Sequence, residues 1–165
     1  MHSPHLTILL PDIRSAHNVG AIMRTADAVG ARVWTSGLSP HPIVDNDARP
    51  PHVADRAARL IAKTALGAEK TAFESHYHTF EQAIASARGL NLFVCALEQT
   101  LDSLNLFDFT SAAPLLLIVG PEVEGLNSGQ LAVCDITLEI PMVGHKESLN
   151  VSVAAGIAMY AITRG

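Results

Sequence analysis

The sequence predicts an α/β fold in which a mostly parallel sheet carries helices on both faces, and three observations lead there. The runs LTILLP, ARVWTS, NLFVCAL, LLLIVG and ITLEIPM have the apolar character and length of buried strands. Helix-length segments separate them, and strands joined that way pair in parallel under helical cover. The stretch IPMVGHKESLNVSVAAGIAMYAITR, residues 140–164, places a strand end, a polar loop and a small-residue helix in one unbroken unit.

Each element has its own reason. LTILLP, residues 6–11, is the first buried strand. Residues 18–29 read as a helix capped by Asn18 and ended by Gly30, with Ile22, Met23, Ala26 and Val29 in an inward stripe. ARVWTS is the second strand. The Pro-, His- and Asp-containing run 39–51 is expected to be an exposed, mobile loop. Residues 52–65 form a second helix with Val53, Ala57, Leu60, Ile61 and Thr64 on one side, and residues 80–87 a short third. Strands NLFVCAL, LLLIVG and ITLEIPM follow, so Ile140 and Met142 close the last strand. Pro141, Gly144, His145, Lys146 and Glu147 force a loop, and Ser148 offers an N-cap oxygen to the final helix. There Leu149, Val153, Ile157 and Tyr160 recur at helical spacing, while Ala154, Ala155, Gly156 and Ala158 keep one flank thin enough for another backbone.

A chain of 165 residues, 48% hydrophobic and 16% charged, supports one core, so residues 1–165 are expected to be a single domain without substantial extensions. No apolar run approaches the ~20 residues of a membrane span, and MHSPHLTILLPD lacks the order of a signal peptide. The expectation is a soluble, cytoplasmic protein with no membrane partner. Cys95 and Cys134 sit in apolar surroundings and read as buried reduced thiols. The net charge of −5 argues against a broadly basic nucleic-acid binder. Its distribution matters more: residues 1–70 hold eight Lys/Arg against six Asp/Glu, and residues 71–165 three against ten. RNA phosphates, if bound, would therefore meet Arg14, Arg24, Arg32, Arg49, Arg56, Arg59 and Lys63.

In an open parallel sheet, ligands bind beyond the carboxyl ends of the strands, where GPEVEGLN, the loop after Met142 and the residues after Cys95 all fall. GPEVEG has the GxxxxG spacing of a phosphate loop, but Leu126 and Asn127 stand where Lys and Ser/Thr are required. Glu122 and Glu124 would also repel phosphate. Nor does PDIRSAHNVG, after the first strand, carry a GxGxxG fingerprint. Gly120 and Gly125 instead allow backbone to approach a nucleoside, with a carboxylate nearby suited to a sulfonium or ammonium. Asn18, Gly20 and Arg24 suggest a helix start plus an arginine, an arrangement that receives phosphate. His76 and His78, with His41 and His52 upstream, lack the paired cysteines or HExxH of a zinc site, so no metal is expected.

Three segments, DIRSAHNVGAIMRTADAVGA, LLLIVGPEVEGLN and the unit from Ile140 onward, together resemble the ordered motifs of the SpoU/TrmH family of RNA ribose 2′-O-methyltransferases, in the SPOUT superfamily. TALGAEK, residues 64–70, resembles a further family element, so the likeness covers nearly the whole chain. The resemblance implies S-adenosylmethionine as cofactor, held by Leu97, Gly120, Gly125, Ile140, Met142, Ser148 and Leu149. It implies Asn18, Arg24, Glu122, Ser148 and Asn150 as reaction residues, with Arg14, Arg24 and Arg164 on the RNA. It also implies a carboxyl-terminal trefoil knot, and a homodimer in which one subunit's arginine reaches the other's cofactor. Periodicity shows neither of these, and knots are rare.

Arg24 is assigned to phosphate binding and to the developing alkoxide, because a protonated guanidinium carries no acceptor; the resemblance implies an arginine that, assisted by a substrate phosphate, also takes the hydroxyl proton, and that alternative stays open. His17 is a conceivable relay, although a plain loop histidine explains it better. The expected substrate is tRNA. Ribosomal RNA is the alternative, and a non-catalytic RNA-binding module that keeps the fold is the rival reading. An adenine-nucleotide enzyme is disfavoured by the missing phosphate-loop lysine.

Overall fold

Seven strands lie side by side in the order β3-β2-β1-β6-β4-β7-β5, and every neighbouring pair is parallel. They are β1 (Leu6–Pro11), β2 (Arg32–Ser36), β3 (Phe73–Tyr77), β4 (Phe93–Leu97), β5 (Leu104–Asn105), β6 (Leu115–Val119) and β7 (Ile136–Glu139). The helices are α1 (Ala16–Val29), α2 (Pro51–Ala65), α3 (Phe80–Gly89), α4 (Ser128–Ala132) and α5 (Val151–Arg164). This computed structural model describes residues 5–111 and 113–164. Part of the MHSPHL start, on which the expectation of no signal peptide rests, lies outside the described residues. No described helix is long and apolar enough to cross a membrane.

Side chains alternate across the pleat and build two cores. On one face Ile8, Leu10, Cys95, Leu97, Leu115, Leu117 and Val119 pack under α1, α2 and α5. On the other, Leu9, Val94, Ala96, Leu116 and Ile118 pack with Trp34 under α3. β1, β4 and β6 are therefore apolar on both faces, as the continuous LTILLP and LLLIV runs require.

The sequence reading missed three elements and misjudged several details. β3 is an edge strand whose FESHY residues are mostly half-buried, so it lacks the apolar run that marks β1. β5 has two residues and α4 five, both too short for a periodic signal. The last strand ends at Glu139, before Pro141, so Ile140 and Met142 belong to the following loop. α1 begins at Ala16 and is capped by Ser15, whose Oγ accepts from Asn18 N at 3.2 Å. Asn18 thus sits inside the first turn. α5 begins at Val151, and Asn150 caps it through a 2.9 Å bond from Ser152 N to Oδ1; Ser148 lies too far upstream.

The thin flank of α5 is the one that packs inward, as the sequence suggests, and of the larger stripe only part joins it: Ile157 packs against the core. Val151, Ala155, Ala158, Met159 and Ile162 are buried, whereas Val153 is 49% and Tyr160 41% exposed. Small residues let α5 lie close to α1, with Gly156 facing Thr25. The 39–51 loop is likewise pinned rather than free. Ser39 and His41 are buried, and Arg49 bridges Asp47 at 2.5 Å while donating to the His41 and Pro42 carbonyls. Arg49 is thereby committed within the chain and leaves the set of arginines open to phosphate. Cys95 is buried and Cys134 half-buried, both as free thiols, and burial pushes them up to about 12 and about 11. Neither is primed as a nucleophile.

Candidate functional site

The parallel strands bring their carboxyl ends to one edge, where β4, β6 and β7 surround a cavity of about 450 Å³. β4 delivers Leu97 and Glu98, β6 delivers Gly120 and the turn after it, and β7 delivers Glu139 and Ile140. The lead-in to α5 adds Ser148 and Leu149. All seven residues expected to hold a cofactor, Leu97, Gly120, Gly125, Ile140, Met142, Ser148 and Leu149, line this cavity. A second cavity, of about 790 Å³, lies beyond β1 and β2 and includes none of them.

Backbone forms part of the wall. A Cβ on Gly120 would lie 2.9 Å from Leu126 Cγ and 3.0 Å from Gly125 C, so the turn closes directly over that glycine. Gly125 has a φ of 65°, and a Cβ there would lie 2.5 Å from Glu98 Oε2. Conformation and crowding both demand glycine. The wall is also acidic: Glu98, Glu122, Glu124, Glu139 and Glu147 line it, without a Lys, Arg or His among the described residues. A polyphosphate would be repelled there, whereas a cationic ligand would not.

At the rim, three of the expected reaction residues meet. Asn18 Nδ2 donates to Glu122 Oε1 at 2.5 Å, and Asn150 Nδ2 donates to Asn18 Oδ1 at 3.5 Å. The start of α1, the β6 turn and the start of α5 are thereby joined. Because Ser15 caps α1, the Asn18 amide is left free for Glu122. Arg14 Nη2 stands 3.4 Å from Glu124 Oε1, with both side chains well exposed. Gly20 serves packing rather than the site: a Cβ there would collide with Thr64 Oγ1 and the Ile61 carbonyl of α2.

Arg24 and Arg164 lie elsewhere. Both are exposed, and neither lines the cavity. Arg24 follows Asn18 by six residues, which on an ideal helix leaves it roughly 120° around the axis. Arg164 ends α5, about 20 Å along the helix from its start, with its guanidinium carbon 5.5 Å from the Tyr160 ring centre. Ser148 is on the cavity wall and, among the described residues, is not hydrogen-bonded to Asn18, Glu122 or Asn150.

The histidines form a separate cluster under the 39–51 loop. His41 and His76 stack with ring centres 3.8 Å apart, and His78 meets His76 edge-on at 6.2 Å. Burial, followed by repulsion from His41, pushes His76 down to about 4; burial also lowers His41. No group of three or more His, Cys, Asp or Glu among the described residues is arranged to hold a metal ion.

The sequence marks Glu98 only as one of the residues after Cys95 and does not single out Glu139. Each stands at the carboxyl end of a strand run, NLFVCAL and ITLE, and that position was the available signal.

Comparison with known proteins gives the relationship. The chain is 28% identical over 165 residues to a tRNA (guanosine(18)-2'-O)-methyltransferase of Escherichia coli (strain K12), covering 98% of this chain and 64% of that one. The chain thus spans just under two thirds of that relative. The crystal structure of the A. aeolicus TrmH/SpoU tRNA modifying enzyme superposes with a TM-score of 0.78 and 25% identity, over 99% of this chain and 76% of that one. A structure concerned with the 2-OH methylation of C/U34 on tRNA matches with a TM-score of 0.69 and 27% identity, over 98% and 97% of the two chains. The profile described as the SpoU rRNA Methylase family matches residues 5–160. From its first strand to its last helix, this chain belongs to that family.

Proposed function

We propose that this chain transfers the methyl group of S-adenosylmethionine to a ribose 2′-hydroxyl of RNA, with tRNA as the substrate. One observation carries the reading: three chain-distant loops converge on an acidic cavity whose rim is bonded, through Glu122, to Asn18 and Asn150. The residues fit the cofactor. Backbone at Gly120, Ile140 and Met142 can approach a nucleoside, Leu97 and Leu149 supply apolar wall, and the glutamates suit a sulfonium.

When bound, the cofactor supplies an electrophilic methyl group. The chain's own residues hold, orient and desolvate. The 120–125 turn and residues 140–142 hold the ligand, while Leu126, Val151 and Ala154 exclude water. Glu122, Asn18, Ser148 and Asn150 orient the ribose edge. Arg24 binds RNA phosphate and stabilises the developing alkoxide, and Arg14 and Arg164 contact RNA.

A homodimer supplies Arg24 from the partner subunit. Its displacement from Asn18 around α1, its exposure, and the exposed Val153 and Tyr160 on α5 support that assembly. A carboxyl-terminal trefoil knot belongs to the same reading. The strand order supports it: β7 lies between β4 and β5, so the 98–103 connection has to pass β7 to reach β5. The place of work is cytoplasmic, where tRNA is modified.

The test is incubation with labelled S-adenosylmethionine and separate pools of tRNA and ribosomal RNA, followed by mapping of the modified nucleotide. Label at one ribose 2′-oxygen of tRNA is expected. Label only in ribosomal RNA would reassign the substrate, and binding of RNA without any methyl transfer would make the chain a non-catalytic module.

A further inference from the structure

We infer that Glu98 is a positioning residue that ties the loops around the cavity into one cradle, an inference that rests on reading the cavity as a cofactor site. Glu98 is half-buried at the end of β4 and bonded in four directions. Its amide donates to the Leu138 carbonyl of β7 at 2.9 Å. Its carbonyl accepts from Ser103 Oγ at 3.0 Å, and that oxygen in turn accepts from Thr100 N at 2.7 Å. Its carboxylate divides between two amides, Oε1 accepting from Gln99 N at 3.0 Å and Oε2 from Leu126 N at 3.1 Å. One residue therefore joins the 98–103 loop, the end of β7 and the β6 turn.

The bond to Leu126 N matters most. Leu126 is buried, and its Cγ is the atom nearest to where a Cβ on Gly120 would stand. Glu98 thus acts through Leu126 on the backbone wall at Gly120. The fit is tight from the other side as well, because only a hydrogen at Gly125 leaves space for Glu98 Oε2. An ionised carboxylate accepts with both oxygens, whereas an amide of the same shape must turn a donor toward one of the two N–H groups. The requirement is for charge and acceptor count, not bulk.

Calorimetric titration with S-adenosylmethionine, and steady-state kinetics with the tRNA pool, test this on the native chain, Glu98→Gln and Glu98→Ala. Glu98→Ala is expected to weaken cofactor binding at least tenfold and to raise the cofactor KM likewise, leaving the tRNA KM within twofold. Glu98→Gln should fall between that variant and the native chain. Gly125→Ala adds a readout that general loosening would not move: its penalty on cofactor binding should shrink in the Glu98→Ala background, where the clash is gone. Native-like cofactor affinity in Glu98→Ala overturns the inference; should that variant fail to fold, native-like affinity in Glu98→Gln overturns it equally. A native chain that binds no S-adenosylmethionine overturns the cofactor reading itself, a result distinct from unaffected variants.

Discussion

Single atoms decide what three residues can do. Gly20 has no Cβ because α2 lies against it, with Thr64 Oγ1 and the Ile61 carbonyl in that space. Gly20→Ala should therefore cost about 1–3 kcal/mol through overpacking, and in a domain of this size each kcal/mol removes about 2–4 °C of melting temperature. A thermal melt reads this directly, and an unchanged midpoint would mean the α1–α2 crossing adjusts freely. Gly120 differs, because its missing Cβ faces the cavity turn: Gly120→Val should abolish cofactor binding, and it must also displace the buried Leu126 side chain and the Gly125 backbone. Arg24 makes the opposite prediction. Arg24→Ala should abolish transfer while cofactor affinity stays within a few-fold, since its assigned work is on the ribose side. Unchanged turnover would remove it from the mechanism. Of these residues, the place of Gly120 on the cavity was legible from its motif, whereas the packing role of Gly20 was not, because α2 is far away in sequence.

The 39–51 loop and β3 illustrate how elements depend on each other. Proline and charge mark the loop as surface, yet His41 is buried against His76 of β3, and Arg49 closes it onto Asp47. Histidine in a polar stretch carries no sign of its burial, so the pinning was invisible before the fold. It has a pH consequence. His76 is held neutral in the fold, down to about 4, while in the unfolded chain it protonates near its ordinary value of 6.5. The unfolded state binds the extra proton between those values, so stability is full above 6.5 and falls as pH drops toward 4. The Arg49 guanidinium lowers the Asp47 carboxyl, and Arg88 lowers Asp135, so their losses come at still lower pH. Melting temperature measured from pH 7 to 4 should decline, and His76→Gln should flatten that decline. An equal slope in both proteins would place the titrating group elsewhere. α5 is the converse case: its run of alanines and glycine marks a flank thin enough for another backbone, and α1 lies there, while Val153 and Tyr160 stay exposed.

At the scale of the whole molecule, parallel pairing was readable because helix-length segments separate the strands, and it placed the cavity at the correct end of the sheet. Strand order was not readable, since β3 and β5 are edge strands without an apolar run. The seven expected cofactor residues were legible as motifs, while Glu98 and Glu139 carry only their place at strand ends as a signal, and their convergence shows once β4 and β7 lie side by side. Assembly is the remaining consequence. If the exposed apolar side of α5 is covered by a second copy, sedimentation should show a dimer, and Val153→Glu with Tyr160→Glu should release monomers that have lost transfer activity. A monomeric native chain with full activity would remove the partner's arginine from the account. The proposed activity depends on the acidic cavity at the ends of β4, β6 and β7 being a methyl-donor site. Calorimetric titration of the native chain with S-adenosylmethionine and with ATP tests that most directly: saturable binding of the first and none of the second is predicted, and ATP binding, or no binding of S-adenosylmethionine, would contradict it.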